Sequence, residues 1–153
     1  MKFILTKELG RLSKWLRILG LDATYFTKDN MGALIVEALR DDRIILTRHH
    51  KIPQNRGVKI LNINSDSVKE QLQQALSELN FKPDQRLMFT RCIICNTVLE
   101  KIEKEKVEDK VPEYVFNTQE DFITCPQCKR IYWQGTHFGN VQKTLEEIHG
   151  IYR

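Results

Sequence analysis

No apolar run in the 153 residues approaches the length of a membrane-spanning helix. The first residues carry one lysine and a three-residue apolar stretch, Phe3-Ile-Leu5, before Thr6-Lys-Glu8, too short for a secretory signal. Cysteine is scarce, and none of the four stands outside two like-spaced pairs, Cys92-Ile-Ile-Cys95 and Cys125-Pro-Gln-Cys128. Acid is scarce at the start: Glu8 is the only acidic residue among the first twenty, against Lys2, Lys7, Arg11, Lys14 and Arg17. With no export signal and cysteines spaced for metal, the expected location is intracellular, in the cytoplasm, with no membrane partner.

The cysteine pairs carry the strongest local signal. Two intervening residues let a tight turn aim both sulfurs at one point. Two such turns supply the four thiolates of a closed, tetrahedral, structural Zn²⁺ site from Cys92, Cys95, Cys125 and Cys128. Free or disulfide-bonded cysteines and a redox Cys-x-x-Cys are the alternatives, and duplication of the pair argues for metal. The 29 residues between the pairs leave room for a hairpin.

A hydrophobic share of 41% suffices for a core, and the length suits one domain with a small module. The net charge of +4 is modest, so its placement matters more than its size. Besides the N-terminal group, Arg43, Arg48, Lys51, Arg56 and Lys59 cluster in the middle. Clustered Lys and Arg neutralise phosphates and point to a nucleic-acid partner.

Residues 2–5 read as a short buried strand. Leu9, Leu12, Leu16 and Leu19 then recur at helical spacing, with Lys7, Arg11, Lys14 and Arg17 following the same period on another face. Gly20 closes that helix as a left-handed cap. Strands are expected at Ala23–Phe26, Arg43–Thr47 and Val58–Asn62, and a helix through Leu34–Leu39. Ser67-Val-Lys-Glu70 has capping-box spacing and opens a further helix through Leu79. The continuous run Ile44-Ile-Leu46 suits a strand buried on both faces of a parallel sheet. Alternating strands and helices predict an α/β layer over residues 1–85. Residues 86–153 form the cysteine module, with Glu100–Lys110 as a solvated hairpin or loop and Val141–His149 as a short helix.

Several stretches taken together resemble a known family. They are Lys2-Phe-Ile-Leu-Thr-Lys-Glu-Leu-Gly-Arg-Leu-Ser-Lys-Trp-Leu-Arg-Ile-Leu-Gly-Leu-Asp22, Arg43-Ile-Ile-Leu-Thr-Arg48, Arg91-Cys-Ile-Ile-Cys-Asn96 and Cys125-Pro-Gln-Cys-Lys-Arg-Ile-Tyr-Trp-Gln-Gly-Thr-His137. They resemble the Mut-seven C-terminal RNase domain family over residues 2–138. The resemblance implies a PIN-like α/β fold, a parallel sheet flanked by helices, followed by a small zinc ribbon with four cysteine ligands. It also implies a ribonuclease that holds Mg²⁺ or Mn²⁺ through carboxylates at the carboxyl edge of the sheet.

The chain departs from that pattern where the chemistry belongs. The family's acid after the first strand aligns with Thr6, and the acid after the third with His49. Asp29, Asp66 and Glu70 remain as candidate catalytic carboxylates near the same edge, with His49 (and its neighbour His50) as a candidate acid/base. Losing two carboxylates removes most of the charge that keeps a hard cation, so hydrolysis by the usual route is expected to be weak or absent.

The expectation is therefore an RNA-binding module. Lys7, Arg11, Lys14 and Arg17 form one wall, with Arg48, His49, His50 and Lys51 across the sheet edge. An active metal-dependent endoribonuclease using the remaining acids is the alternative. A protein–protein adaptor docking through the zinc ribbon is a further one. On the ribbon, Lys129, Arg130, Tyr132, Trp133 and His137 are candidates for nucleic-acid contact.

Overall fold

The computed structural model describes residues 1–52, 57–134 and 136–149, with side chains of 136–139 and 148–149 excepted. Arg56 and the His137 side chain lie outside this description. The chain divides into two compact units, residues 1–96 and 97–153.

The first unit holds an α/β layer with a parallel sheet. Strand β1 (Lys2–Thr6) leads through a 3-10 turn (Lys7–Leu9) into helix α1 (Gly10–Ile18) and strand β2 (Asp22–Phe26). Helix α2 (Met31–Asp41), strand β3 (Ile44–Thr47), strand β4 (Ile60–Asn62) and helix α3 (Val68–Glu78) follow. The four strands are parallel in the order β2-β1-β3-β4. Phe3, Ile4, Leu5, Ile45 and Leu46 are fully buried, so the two central strands read as unbroken apolar runs. Ile4 and Ile45 face α2, packing with Phe26, Leu34, Ala38 and Ile52. Right-handed crossovers that move from β1 to β2 and then back past β1 to β3 place α1 and α2 on opposite faces.

Helix α1 follows its leucine ridge: Leu9, Leu12, Leu16 and Leu19 are all at most 1% exposed. Each contributes roughly 1.5–3 kcal/mol of burial. Gly20 ends the helix at φ +86°, with its N–H on Arg17 O and the Leu21 N–H on Leu16 O, a Schellman closure. A Cβ at Gly20 would lie 2.2 Å from the Leu87 carbonyl oxygen, so both the dihedral and the space require glycine. The Phe89 N–H bonds Ile18 O at 2.9 Å, fastening the segment after α3 to the end of α1.

One local expectation needs correction. Ser67 is the N-cap of α3, but its side chain makes no capping bond, so the capping box does not form. Ser65 displaces it: its hydroxyl donates to Glu70 and accepts from the Ser67 N–H, while Gln71 bonds its carbonyl. A serine two residues upstream thus occupies the glutamate that the capping box requires.

The second unit holds an antiparallel sheet of β5 (Glu100–Ile102), β6 (Phe122–Thr124) and β7 (Ile131–Trp133). It also holds a 3-10 turn (Lys104–Lys106), helix α4 (Glu113–Thr118) and helix α5 (Thr136–His149). The charged stretch 100–110 is more than a solvated loop. It supplies strand β5 and the fully buried Val107, which packs with Val111, Val115 and Phe122. Among the described residues no helix is long and apolar enough to cross a membrane.

Candidate functional site

In a parallel sheet whose first connection goes one way and the next the other, the loops leaving the two central strands part and open a crevice at their carboxyl ends. Here that point lies between Thr6, the last residue of β1, and Thr47, the last of β3. Both threonines are buried, and the Thr6 hydroxyl lies 2.9 Å from that of Thr47. Glu8, from the 3-10 turn after β1, reaches into the same point. Its Oε1 accepts from Thr6 Oγ1 at 2.5 Å, from the Arg48 N–H at 3.0 Å and from Thr47 Oγ1 at 3.3 Å. Its Oε2 lies 3.5 Å from His49 Nε2, and the His49 N–H donates to Thr47 Oγ1 at 3.0 Å. Burial pushes the Glu8 carboxyl up, yet the Thr6 hydroxyl, the Arg48 and Glu8 backbone N–H groups and His49 together hold it below the usual glutamate range.

Glu8 is the site residue that sequence reasoning missed. It stood out only as the single acid in a basic stretch. The available signal was its place two residues past the first strand, where a 3-10 turn swings its side chain back over the sheet edge. Of the expected site residues, the structure brings His49 to this point.

The other expected acids do not join it. Asp29, beyond β2, pairs with Lys7 Nζ at 2.5 Å, and both are well exposed. That contact holds the Asp29 carboxyl below, and the Lys7 ammonium above, its ordinary range. Asp66 is exposed in the loop before α3, and Glu70 accepts the Ser65 hydroxyl. Among the described residues, the only group of three or more His, Cys, Asp and Glu side chains close enough to share an ion is the four cysteines. One carboxylate, with one oxygen already taken by three donors, does not fit a hard Mg²⁺ or Mn²⁺ ion, which needs several free oxygens.

The basic residues separate into two kinds. Arg11, Lys14, Arg48, His50 and Lys51 are exposed. Arg17 is not: it is 7% exposed, with Nε on Ala23 O at 2.9 Å and Nη1 on Ile93 O and Ile94 O at 2.8 and 3.1 Å. The guanidinium faces inward because the first cysteine turn offers it carbonyls, a fact invisible in helical periodicity. Arg43 is likewise drawn inward, 2.7 Å from Asp22, whose Oδ1 also accepts from Asn96 Nδ2 at 2.7 Å. Burial raises the Asp22 carboxyl, but Arg43 and Asn96, with Arg91 nearby, hold it below its usual range.

The two cysteine turns are built alike. Cys95 N donates to Cys92 Sγ and Cys128 N to Cys125 Sγ, each at 3.4 Å. The next residue closes each turn, Asn96 N on Cys92 O at 2.8 Å and Lys129 N on Cys125 O at 2.9 Å. Asn96 and Lys129 adopt left-handed φ of 64° and 65°, a conformation asparagine tolerates better than lysine. The four sulfurs lie within 4.8 Å of one another. Sulfurs bound tetrahedrally at about 2.3 Å from zinc are themselves about 3.8 Å apart. The donor set fits a zinc site, with Cys92, Cys95, Cys125 and Cys128 as the residues that would hold the ion.

On the second unit, Trp133 packs against the cluster around Val107, whereas Lys129 and Arg130 are exposed.

A family model described as Mut7-C RNAse domain matches residues 1–145. No curated protein and no solved structure matches the chain.

Proposed function

The chain belongs to the Mut7-C RNAse domain family, and we propose that this protein binds RNA and cleaves it weakly or not at all by a metal route. The observation that carries the reading is the crevice at the ends of β1 and β3. There Thr6, Thr47 and His49 surround one carboxylate, Glu8, whose Oε1 is engaged by three donors. Fewer free negative charges leave the crevice more attractive to phosphate. The exposed Lys7, Arg11, Lys14, Arg48 and Lys51 supply cations around it. Arg17, turned inward, is assigned to bracing rather than to RNA.

Zinc held by the four cysteines is part of this reading, as a structural ion that fixes both turns. The cytoplasm is the proposed location.

The test pairs binding with cleavage on the full chain. Affinity for single-stranded RNA is expected to fall with salt and to drop in Arg11→Glu/Lys14→Glu. Affinity unchanged in that double variant rejects the surface. RNA cleavage supported by Mn²⁺ and abolished by EDTA would reverse the order and make the enzyme reading first.

A second reading, cleavage without metal, draws on the 3.5 Å approach of His49 to Glu8. A carboxylate beside an imidazole orients the ring for proton transfer with an RNA 2′-hydroxyl. Activity that survives EDTA and disappears in both His49→Ala and Glu8→Gln is its signature.

A further inference from the structure

The geometry points to a nucleotide-binding cleft between α1, the edge strand β2 and the first cysteine turn, seating one unstacked RNA base with its phosphate. This inference rests on the RNA reading and locates a subsite within it. The cleft has a volume of about 380 Å³, and its walls are Gly10, Arg11 and Lys14 of α1, Tyr25 of β2, and Ile93 and Ile94 of the turn. It is large enough for a small planar ligand, at the lower end of the roughly 300–1,000 Å³ usual for such sites.

Its chemistry is divided in the way a nucleotide is divided. Tyr25 is 39% exposed and Ile94 44% exposed, so an aromatic ring and a branched apolar side chain stand open to solvent beside the cleft. Such side chains are suited to the faces of a base. Arg11 and Lys14 are exposed on the helix wall, and among the described residues no acidic side chain lines the cleft. They are suited to the phosphate. An aliphatic ligand would leave the two cations without a partner, and a bare phosphate would leave Tyr25 and Ile94 without one.

The walls are held in place before any ligand arrives. The Tyr25 hydroxyl donates to the Lys7 carbonyl, and the ring lies over Gly10, where a Cβ would meet its outer atoms at ordinary contact distances of 3.4–3.9 Å. The buried Arg17 fixes the opposite wall through the carbonyls of Ile93 and Ile94. Preorganised walls reduce the ordering that binding would otherwise require.

The experiment uses the full chain with two fluorescent probes of about eight nucleotides, a length within the usual single-strand footprint. One is single-stranded oligouridylate, and the other is an abasic ribose-phosphate oligomer of the same length. Tyr25→Ala and Ile94→Ser are each expected to weaken oligouridylate binding about tenfold, the scale of one lost stacking contact. Both should leave abasic affinity and the salt slope unchanged, and Tyr25→Phe, which keeps the ring but loses the bond to the Lys7 carbonyl, should weaken oligouridylate binding less than Tyr25→Ala does. In the unaltered protein, photocrosslinking of 5-iodouridine oligomer should map to Tyr25, a readout that does not depend on any variant folding. Oligouridylate affinity unmoved by Tyr25→Ala and Ile94→Ser, yet lost in Arg11→Glu/Lys14→Glu, overturns the cleft and leaves the RNA reading standing. No binding of either probe by the unaltered protein overturns both.

Discussion

Replacing Arg17 by methionine separates a brace from a phosphate ligand at a single position. Methionine keeps most of the aliphatic stem and removes the guanidinium, leaving Ala23 O, Ile93 O and Ile94 O without their donor. Hydrogen bonds to a charged group contribute about 1.5–3 kcal/mol each, and part of this is returned because a buried guanidinium no longer has to be desolvated. Desolvation is indeed the largest influence on Arg17, pulling its pKa down, with Cys92, Cys95 and Asp22 opposing. The net expectation is a loss of about 2–4 kcal/mol, or a fall in Tm of roughly 5–15 °C for a chain of this size. Urea denaturation, with zinc held at one saturating concentration, should show a lower midpoint at unchanged slope. Measured well below the transition, the salt slope of RNA binding should stay unchanged because no phosphate contact is lost, and any fall in affinity should be confined to the loosened cleft wall at Ile93 and Ile94. A variant of unaltered stability whose RNA affinity collapses would refute the inward assignment and return Arg17 to the basic stripe.

Glu8 gives a pH prediction. Its folded pKa lies below the unfolded value, so its contribution to stability is present above the ordinary glutamate pKa and is lost as pH falls through the depressed folded value. Glu8→Gln should therefore flatten the acid limb of the urea midpoint measured from pH 7 to pH 3; an identical limb would contradict the hydrogen-bond network drawn at Thr6 and Arg48. Gly20→Ala should destabilise by about 1–3 kcal/mol through left-handed strain alone, and by more if Leu87 cannot move, read as a lower thermal midpoint. Metal analysis of the purified chain should return one zinc per molecule, with Cys92→Ser and Cys125→Ser each weakening retention against a chelator; a metal-free, fully folded chain would reject the site.

The α/β order was legible because burial leaves a periodic trace. The leucines of α1 repeat at helical spacing, Ile44-Ile-Leu46 reads as a strand buried on both faces, and Gly20 marks a left-handed turn. Like spacing also announced the two cysteine turns, since two residues between ligands is a local geometric requirement. The Ser67–Glu70 capping box failed because the same local grammar allowed Ser65 to bind Glu70 first.

What the amino-acid order determined alone was whatever depends on neighbours along the chain: the helix faces, the buried strands and the pairing of cysteines within each turn. Only the tertiary structure decided which charges are free. Arg17 and Lys14 lie three residues apart on one helix, yet one is buried against backbone carbonyls from residues 93 and 94 and the other is exposed. Glu8 reads as a lone acid among cations until the strand order brings Thr47 and His49 beside it. A charge's role is set by what the fold places within a few ångströms of it, and those groups come from distant parts of the chain.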